Sequence, residues 1–171
     1  MGPARVSPYV ITVDTDVRDL RAADHLLRDL AAELGLPEGA FGCTHLVHGE
    51  RPRVVLSFTT TSPEAARALT AKEYEVTTGA PDEVGRAVLY PGVAALTGTV
   101  TVAELLSGSA IDRVTVLGSS DQPPPEQGVV TRDHVRPQWQ DGELVLTLMP
   151  AAGGVLVPFE VPDPTPCCAD H

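Results

Sequence analysis

Apolar and polar positions alternate along this chain with two periods. Val6 to Val13 is apolar and β-branched and predicts a first strand. Leu20, Ala23, Leu27, Leu30, Ala31 and Leu34 then recur on one face of a 3.6-residue period. They predict an amphipathic helix with Asp16 as N-cap, Gly35 just past its end and Pro37 barring continuation. Cys43–His48 and Arg53–Thr60, joined by Gly49-Glu50-Arg51-Pro52, predict a hairpin. If Cys43, His45 and Val47 lie opposite Val54, Leu56 and Phe58, that face is apolar and His45 is a hydrogen-bonded core or edge histidine. Ser62 as cap and Pro63 at the first helical position open a second helix to about Tyr74.

The middle reads as a short helix over Asp82 to Leu89, stopped by Tyr90-Pro91-Gly92. Thr101 and Glu104 form a capping box for a helix through Ser107, and Ile111 to Leu117 predicts a buried strand. Residues 119–128, with Pro123, Pro124 and Pro125, must be a loop. Beyond it, Asp141-Gly142 signals a hairpin turn between strands over Val129–Gln140 and Glu143–Met149. In that pairing His134, Arg136 and Gln138 share the solvent face. Gly153-Gly154 leads into a last strand, Val155–Val161. The fold class expected is α+β: a ferredoxin-like β-α-β-β-α first part, then a short helix, a strand and an antiparallel β-meander. One domain over residues 1–162 is expected, with 119–128 as the place where it could divide. Residues 163–171 form a proline-rich arm with a Cys/His tail.

Charge narrows the partners. The 171 residues carry 23 acidic and 12 basic side chains, a net charge of −11, and every basic residue except Lys72 is Arg. Such a chain offers no basic stripe for a phosphate backbone or an anionic membrane surface, so neither nucleic acid nor membrane is an expected partner. A protein partner or a small-molecule ligand is. The Arg-for-Lys bias with abundant Ala, Val, Pro and Gly points to a bacterial, high-GC source. The first residues lack the apolar stretch of a signal peptide, and a cytoplasmic location with reduced cysteines is expected.

Composition alone names no chemistry, but the placing of Cys and His does. Cys43, His45 and His48 fall in one short segment, and Cys167, Cys168 and His171 in another. Thiolate and imidazole are the ligands zinc and iron–sulfur centres prefer. On a strand, Cys43 and His45 point to the same side. With Cys168 and His171 they make a Cys2His2 set, leaving His48 and Cys167 as spares. In ligand order, Cys43-Thr44-His45 and Cys168-Ala169-Asp170-His171 resemble the C-x-H and C-x-x-H halves of Rieske-type proteins. That resemblance implies a [2Fe–2S] cluster with two Cys on one iron and two His on the other. Here most of the chain separates the two halves. Zn²⁺ in a mononuclear site, which needs no fixed separation, is the first expectation and [2Fe–2S] the second.

Two further patterns carry weaker chemistry. Val10-Ile11-Thr12-Val13-Asp14-Thr15-Asp16, an apolar strand ending in D-x-D, is similar to the first motif of haloacid-dehalogenase-type phosphatases. That likeness implies Asp14 as nucleophile, Asp16 as general acid, Ser57 or Ser119 as hydroxyl donor and Lys72 as cation. The simpler reading makes Asp16 a helix cap and Asp14 a solvated strand end. In Arg132-Asp133-His134-Val135-Arg136, His134 is a candidate general base with Asp133 beside it, and Cys43 a candidate nucleophile for it. The leading expectation is therefore an intracellular metal-binding protein. A metal-free acidic module binding a basic protein or small molecule is the alternative, and a small cysteine-dependent enzyme the second.

Overall fold

The computed structural model describes residues 9–36, 39–71, 74–79, 81 and 83–162. The predicted tail 163–171, the start of the first strand before Tyr9, and Lys72 lie outside them. The fold is mixed α+β, with three α-helices among the described residues. None of these is long and apolar enough to cross a membrane. In chain order the elements are β1 (Tyr9–Asp14), α1 (Leu20–Leu34), β2 (Phe41–Val47), β3 (Arg53–Thr60), α2 (Pro63–Thr70), β4 (Glu75–Thr78), β5 (Arg86–Leu89), β6 (Thr99–Thr101), α3 (Val102–Gly108), β7 (Arg113–Val116), β8 (Gly128–Val130), β9 (Gln138–Gln140), β10 (Glu143–Ala151) and β11 (Val155–Pro158). The chain divides into two compact units, one of residues 1–91 with 138–140, the other of residues 92–137 and 141–171.

The first unit is a sheet in the order β4-β1-β3-β2-β5-β9, with every neighbouring pair antiparallel. One face is covered by helices. Ile11 and Val13 of β1, and Val54, Leu56 and Phe58 of β3, pack against Ala23, Leu27 and Leu30 of α1 and Leu69 of α2. Burying each of these Leu or Phe side chains contributes about 1.5–3 kcal/mol. Gly42 of β2 lies under Leu27, where an added Cβ would come within 2.8 Å of that side chain, so α1 can lie flat on the strand.

The first helix starts later than its sequence suggests. Asp19, not Asp16, is its cap, accepting from the Ala22 N–H at 3.2 Å. Asp16 instead sits at φ 64° in a turn, its N–H held by the Asp14 carboxylate. Gly35 ends α1 at φ 60°, as expected. Within the predicted helix over 82–89, Arg86–Leu89 is instead strand β5. Ala87 and Val88 are both fully buried, so the segment has no polar face from which a period could be read. Likewise α2 stops at Thr70, and the β-branched Val76, Thr77 and Thr78 enter β4.

In the second unit the order is β7-β10-β11-β8-β6. β10 and β11 are antiparallel, but β7 joins β10 and β8 joins β11 in parallel, so this region is not a simple meander. The predicted long strand 129–140 breaks after Val130, because Arg132 and Asp133 both take positive φ and Pro137 has no N–H to give. Arg136 is accordingly buried rather than on a solvent face. The last strand ends at Pro158, three residues short of Val161. Thr101 caps α3 as predicted: its Oγ1 accepts from the Glu104 N–H at 3.1 Å and donates to the Glu104 carboxylate at 3.0 Å. Asp141 and Gly142 both hold positive φ, as a type I′ turn requires. Gly92, at φ 87°, passes so close to the Gly108 carbonyl that no Cβ would fit.

A charged residue interrupts the apolar face of α1. Asp24 is 6% exposed and receives both Nη atoms of Arg86 on β5, at 2.7 and 3.2 Å; Nη1 also reaches Thr44 Oγ1 at 3.0 Å. The bidentate contact locks α1 to β2 and β5. Arg86→Ala strips the guanidinium from a buried carboxylate, and urea denaturation should show a loss of about 3–5 kcal/mol. A loss under about 1 kcal/mol, the range of an exposed pair, would refute this role.

Candidate functional site

The helix-free face of the first unit carries the chemistry. On β2, Cys43 pairs with Ser57 and His45 with Val55 of β3, one residue away from the register that would set them opposite Leu56 and Phe58. Cys43 and His45 do share a side, as their spacing predicts, but that side belongs to Ser57 and Val55 and lies away from the helices. All four are buried.

His45 is held at both ring nitrogens. Nδ1 lies 3.0 Å from the Glu83 carbonyl, which can only accept, so Nδ1 carries the proton. Nε2 is left to accept from the Ser57 hydroxyl at 2.7 Å. Gly85 lies over the ring: an added Cβ would stand 3.2 Å from His45 Cε1 and 3.1 Å from Trp139 Cδ1. Trp139 of β9 is fixed by its N–H on the Gly85 carbonyl at 2.9 Å and stacks obliquely on Phe41, with ring centres 5.6 Å apart. Burial lowers the His45 pKa, opposed by its hydrogen bond to the Glu83 carbonyl, so the ring is neutral. Burial also pushes the Cys43 thiol up to about 11, against hydrogen bonds with Trp139 and Ser57. A protonated thiol is a weak nucleophile, and a cysteine enzyme would need the opposite shift.

The other predicted residues are scattered. His48 is exposed beyond the end of β2. Cys167, Cys168 and His171 lie outside the described residues. Among the described residues no group of three or more His, Cys, Asp or Glu is placed to hold a metal ion. Asp14 holds Arg53 Nε at 2.7 Å, and Asp16 meets Arg51 at 3.4 Å, so the D-x-D pair is occupied by ion pairs. In the second unit His134 Nε2 meets Glu160 at 2.7 Å, while Asp133 accepts from the Gly98 N–H. The carboxylate that orients His134 is thus Glu160, not its neighbour in sequence.

A cleft of about 380 Å³ opens on the same helix-free face of the first unit. Thr12 and Asp14 of β1, Arg53 of β3, Glu75 and Thr77 of β4 and Glu83 contribute to its wall. Arg53 is the one cation among the described lining residues, against three carboxylates. Its hydrogen bond to Asp14 raises its pKa, and the charges of Asp14, Asp16 and Glu75 add to the effect, as a negative local field requires.

Sequence reasoning missed Ser57 as a partner of His45, and Glu75, Glu83, Gly85 and Trp139 altogether. Ser57 had a signal: it is the polar residue in the apolar run Val54-Val55-Leu56-Ser57-Phe58. No family model matches the chain, and neither the curated proteins nor the solved structures contain a match to it.

Neutral His45 makes stability depend on pH. Below the ordinary value of 6.5 the unfolded chain takes up a proton that the native ring refuses. Stability should therefore fall as pH drops from about 6.5 toward the lower native value, by at most about 1.4 kcal/mol per pH unit for this one proton. Urea titrations between pH 7.5 and 5.5 should show a shallower fall for His45→Gln than for the natural protein. Identical slopes would contradict a neutral native ring.

Proposed function

We propose that the first unit is a metal-free binding module whose cleft takes a cationic ligand, an amine or guanidinium group. The observation that carries this reading is the charge of the wall: among the described lining residues, Asp14, Glu75 and Glu83 stand against Arg53, with Arg51 also 4.0 Å from Asp14. Arg53 is committed to Asp14, so the surplus negative charge rests on Glu75 and Glu83. The volume suits a side chain or small molecule. We read the scaffold as a ferredoxin-like split βαβ arrangement. The order β4-β1-β3-β2 with antiparallel neighbours supports this, and β5 and β9 extend it past β2. The fold carries no function by itself; the proposal rests on the cleft.

Calorimetry with agmatine, which bears both a guanidinium and an amine, should show saturable binding that weakens as salt rises. Succinate should not bind. The double variant Glu75→Gln/Glu83→Gln should lower agmatine affinity by about tenfold, as expected when two carboxylates of about 0.5–1 kcal/mol each are removed. Absence of agmatine binding, or equal affinity in the double variant, would overturn the proposal.

A second reading keeps Cys43 and His45 as half of a zinc site completed by Cys168 and His171, with [2Fe–2S] as the other candidate. Its support is the shared face of Cys43 and His45 on β2. To ligate, Cys43 must lose its proton and His45 must surrender its bond to Ser57 or Glu83. Elemental analysis and a visible spectrum of protein purified without chelator should then show about one zinc per chain, or two irons with colour. Neither metal, even after reconstitution under reducing conditions, would remove this reading.

A further inference from the structure

We infer that the cationic ligand of the cleft is an extended basic peptide, which binds by adding a strand to the open edge of β4. The inference rests on the cleft reading above and names the ligand that would fill it. β4 stands at the end of the strand order of the first unit and pairs only with β1 among the described residues. The pairing aligns Thr12 with Thr77 and Asp14 with Glu75. Its hydrogen-bond phase is set by the Gly79 N–H, which donates to the Val10 carbonyl at 2.7 Å. Hydrogen-bonded pairs alternate along an antiparallel ladder, so from Val10·Gly79 they fall at Thr12·Thr77 and Asp14·Glu75. Val76 and Thr78 consequently direct N–H and C=O to the open side, four backbone groups presented to a further strand.

Side-chain parity then fixes the kind of peptide. Glu75 and Thr77 stand on the cleft face with Asp14 and Thr12, whereas Val76 packs against the helix-covered core. A strand laid beside β4 would place alternate residues over the acidic cleft, about 5 Å from Glu75 and Thr77, and the others beside Val76 and Thr78. The matching sequence alternates basic and apolar residues. Glu75–Thr78 is a short edge of four residues, but it holds no Lys, no Pro and no bulge to keep another chain off it. The one charge on this strand, Glu75, admits a basic strand and repels an acidic one. Strand addition joins main-chain bonds to side-chain selection in this way elsewhere.

The test is calorimetry with the capped peptide Ac-Arg-Val-Arg-Val-Arg-NH2 and two backbone N-methylated forms, one methylated at both Val residues and one at the Arg residues. Methylation removes the N–H donor and keeps every side-chain charge. Strand addition predicts loss confined to one alternate set, at least about tenfold. Loss on the Val set signals antiparallel addition, and loss on the Arg set parallel addition. The silent set should stay within about twofold, and Glu75→Gln should weaken the unmethylated peptide. Equal losses in the two sets, or none in either, would overturn the inference, as would agmatine binding without peptide binding; in those cases the cleft reading stands. If agmatine itself fails to bind, the cleft reading falls and takes this one with it.

Discussion

The register between β2 and β3 is the constraint from which the first unit follows. Pairing Thr44 with Leu56 sends Val54, Leu56 and Phe58 to the helices and Cys43, His45, Val55 and Ser57 to the other side. A slip of one residue would bury Ser57 and Arg53 under α1 and put Leu56 and Phe58 on the cleft face. Gly42 belongs to the same constraint, since its place under Leu27 lets α1 rest on the strand. Both faces of β2 and β3 are buried near their centres, so each carries its own core: an apolar one beneath the helices and a small polar one beneath Gly85 and Trp139.

Buried polar groups within the first unit are matched to partners fixed by secondary structure. Asp24 on α1 meets Arg86 on β5, with Thr44 of β2 between them; His45 on β2 meets Ser57 on β3 and the Glu83 carbonyl. Neither set adds much net free energy over apolar residues of the same shape. What they add is intolerance of misplacement: a shift of α1 or of register leaves a carboxylate or an imidazole buried without its bond. The same matching leaves the His45 ring bonded at both nitrogens and the Cys43 thiol protonated. A neutral ring already bonded at both nitrogens and a desolvated thiol are the marks of a satisfied interior.

Legibility in the sequence followed periodicity. α1, α2 and α3 were readable because each has one polar and one apolar side, or a cap written into it, as Thr101 and Glu104 are, and the β2–β3 hairpin because two β-branched, apolar runs flank Gly49-Glu50-Arg51-Pro52. β5 was not, since Ala87 and Val88 face buried surroundings on both sides and leave no alternation. The shared side of Cys43 and His45 was readable from spacing alone. Its company was not, because the partners come from β3, β9 and the segment before β5, and pairing register is not written in any one strand. Asp24 was the missed warning: a carboxylate one turn from Leu20 and Leu27 on a buried stripe demands a cation elsewhere. The cleft needed β4 beside β1, a neighbour relation that spans the whole βαββαβ stretch.

Charge and backbone have separate tasks at the β4 edge. Glu75 is exposed and Glu83 half-buried, so each attracts a cation through water rather than through a dry interior. At about 5 Å and a dielectric near that of water such an attraction is worth about 1 kcal/mol, and salt weakens it further. Two such charges can choose between a basic and an acidic partner, but they cannot hold either one tightly. Arg53 limits them more, since its position against Asp14 keeps a positive group within the same wall. Tight binding must therefore draw on bonds that salt does not screen, and Val76 and Thr78 present backbone groups of that kind at the rim of the same cleft. A small amine would use the charges alone and bind weakly. A strand with cations at alternate residues would use both along β4.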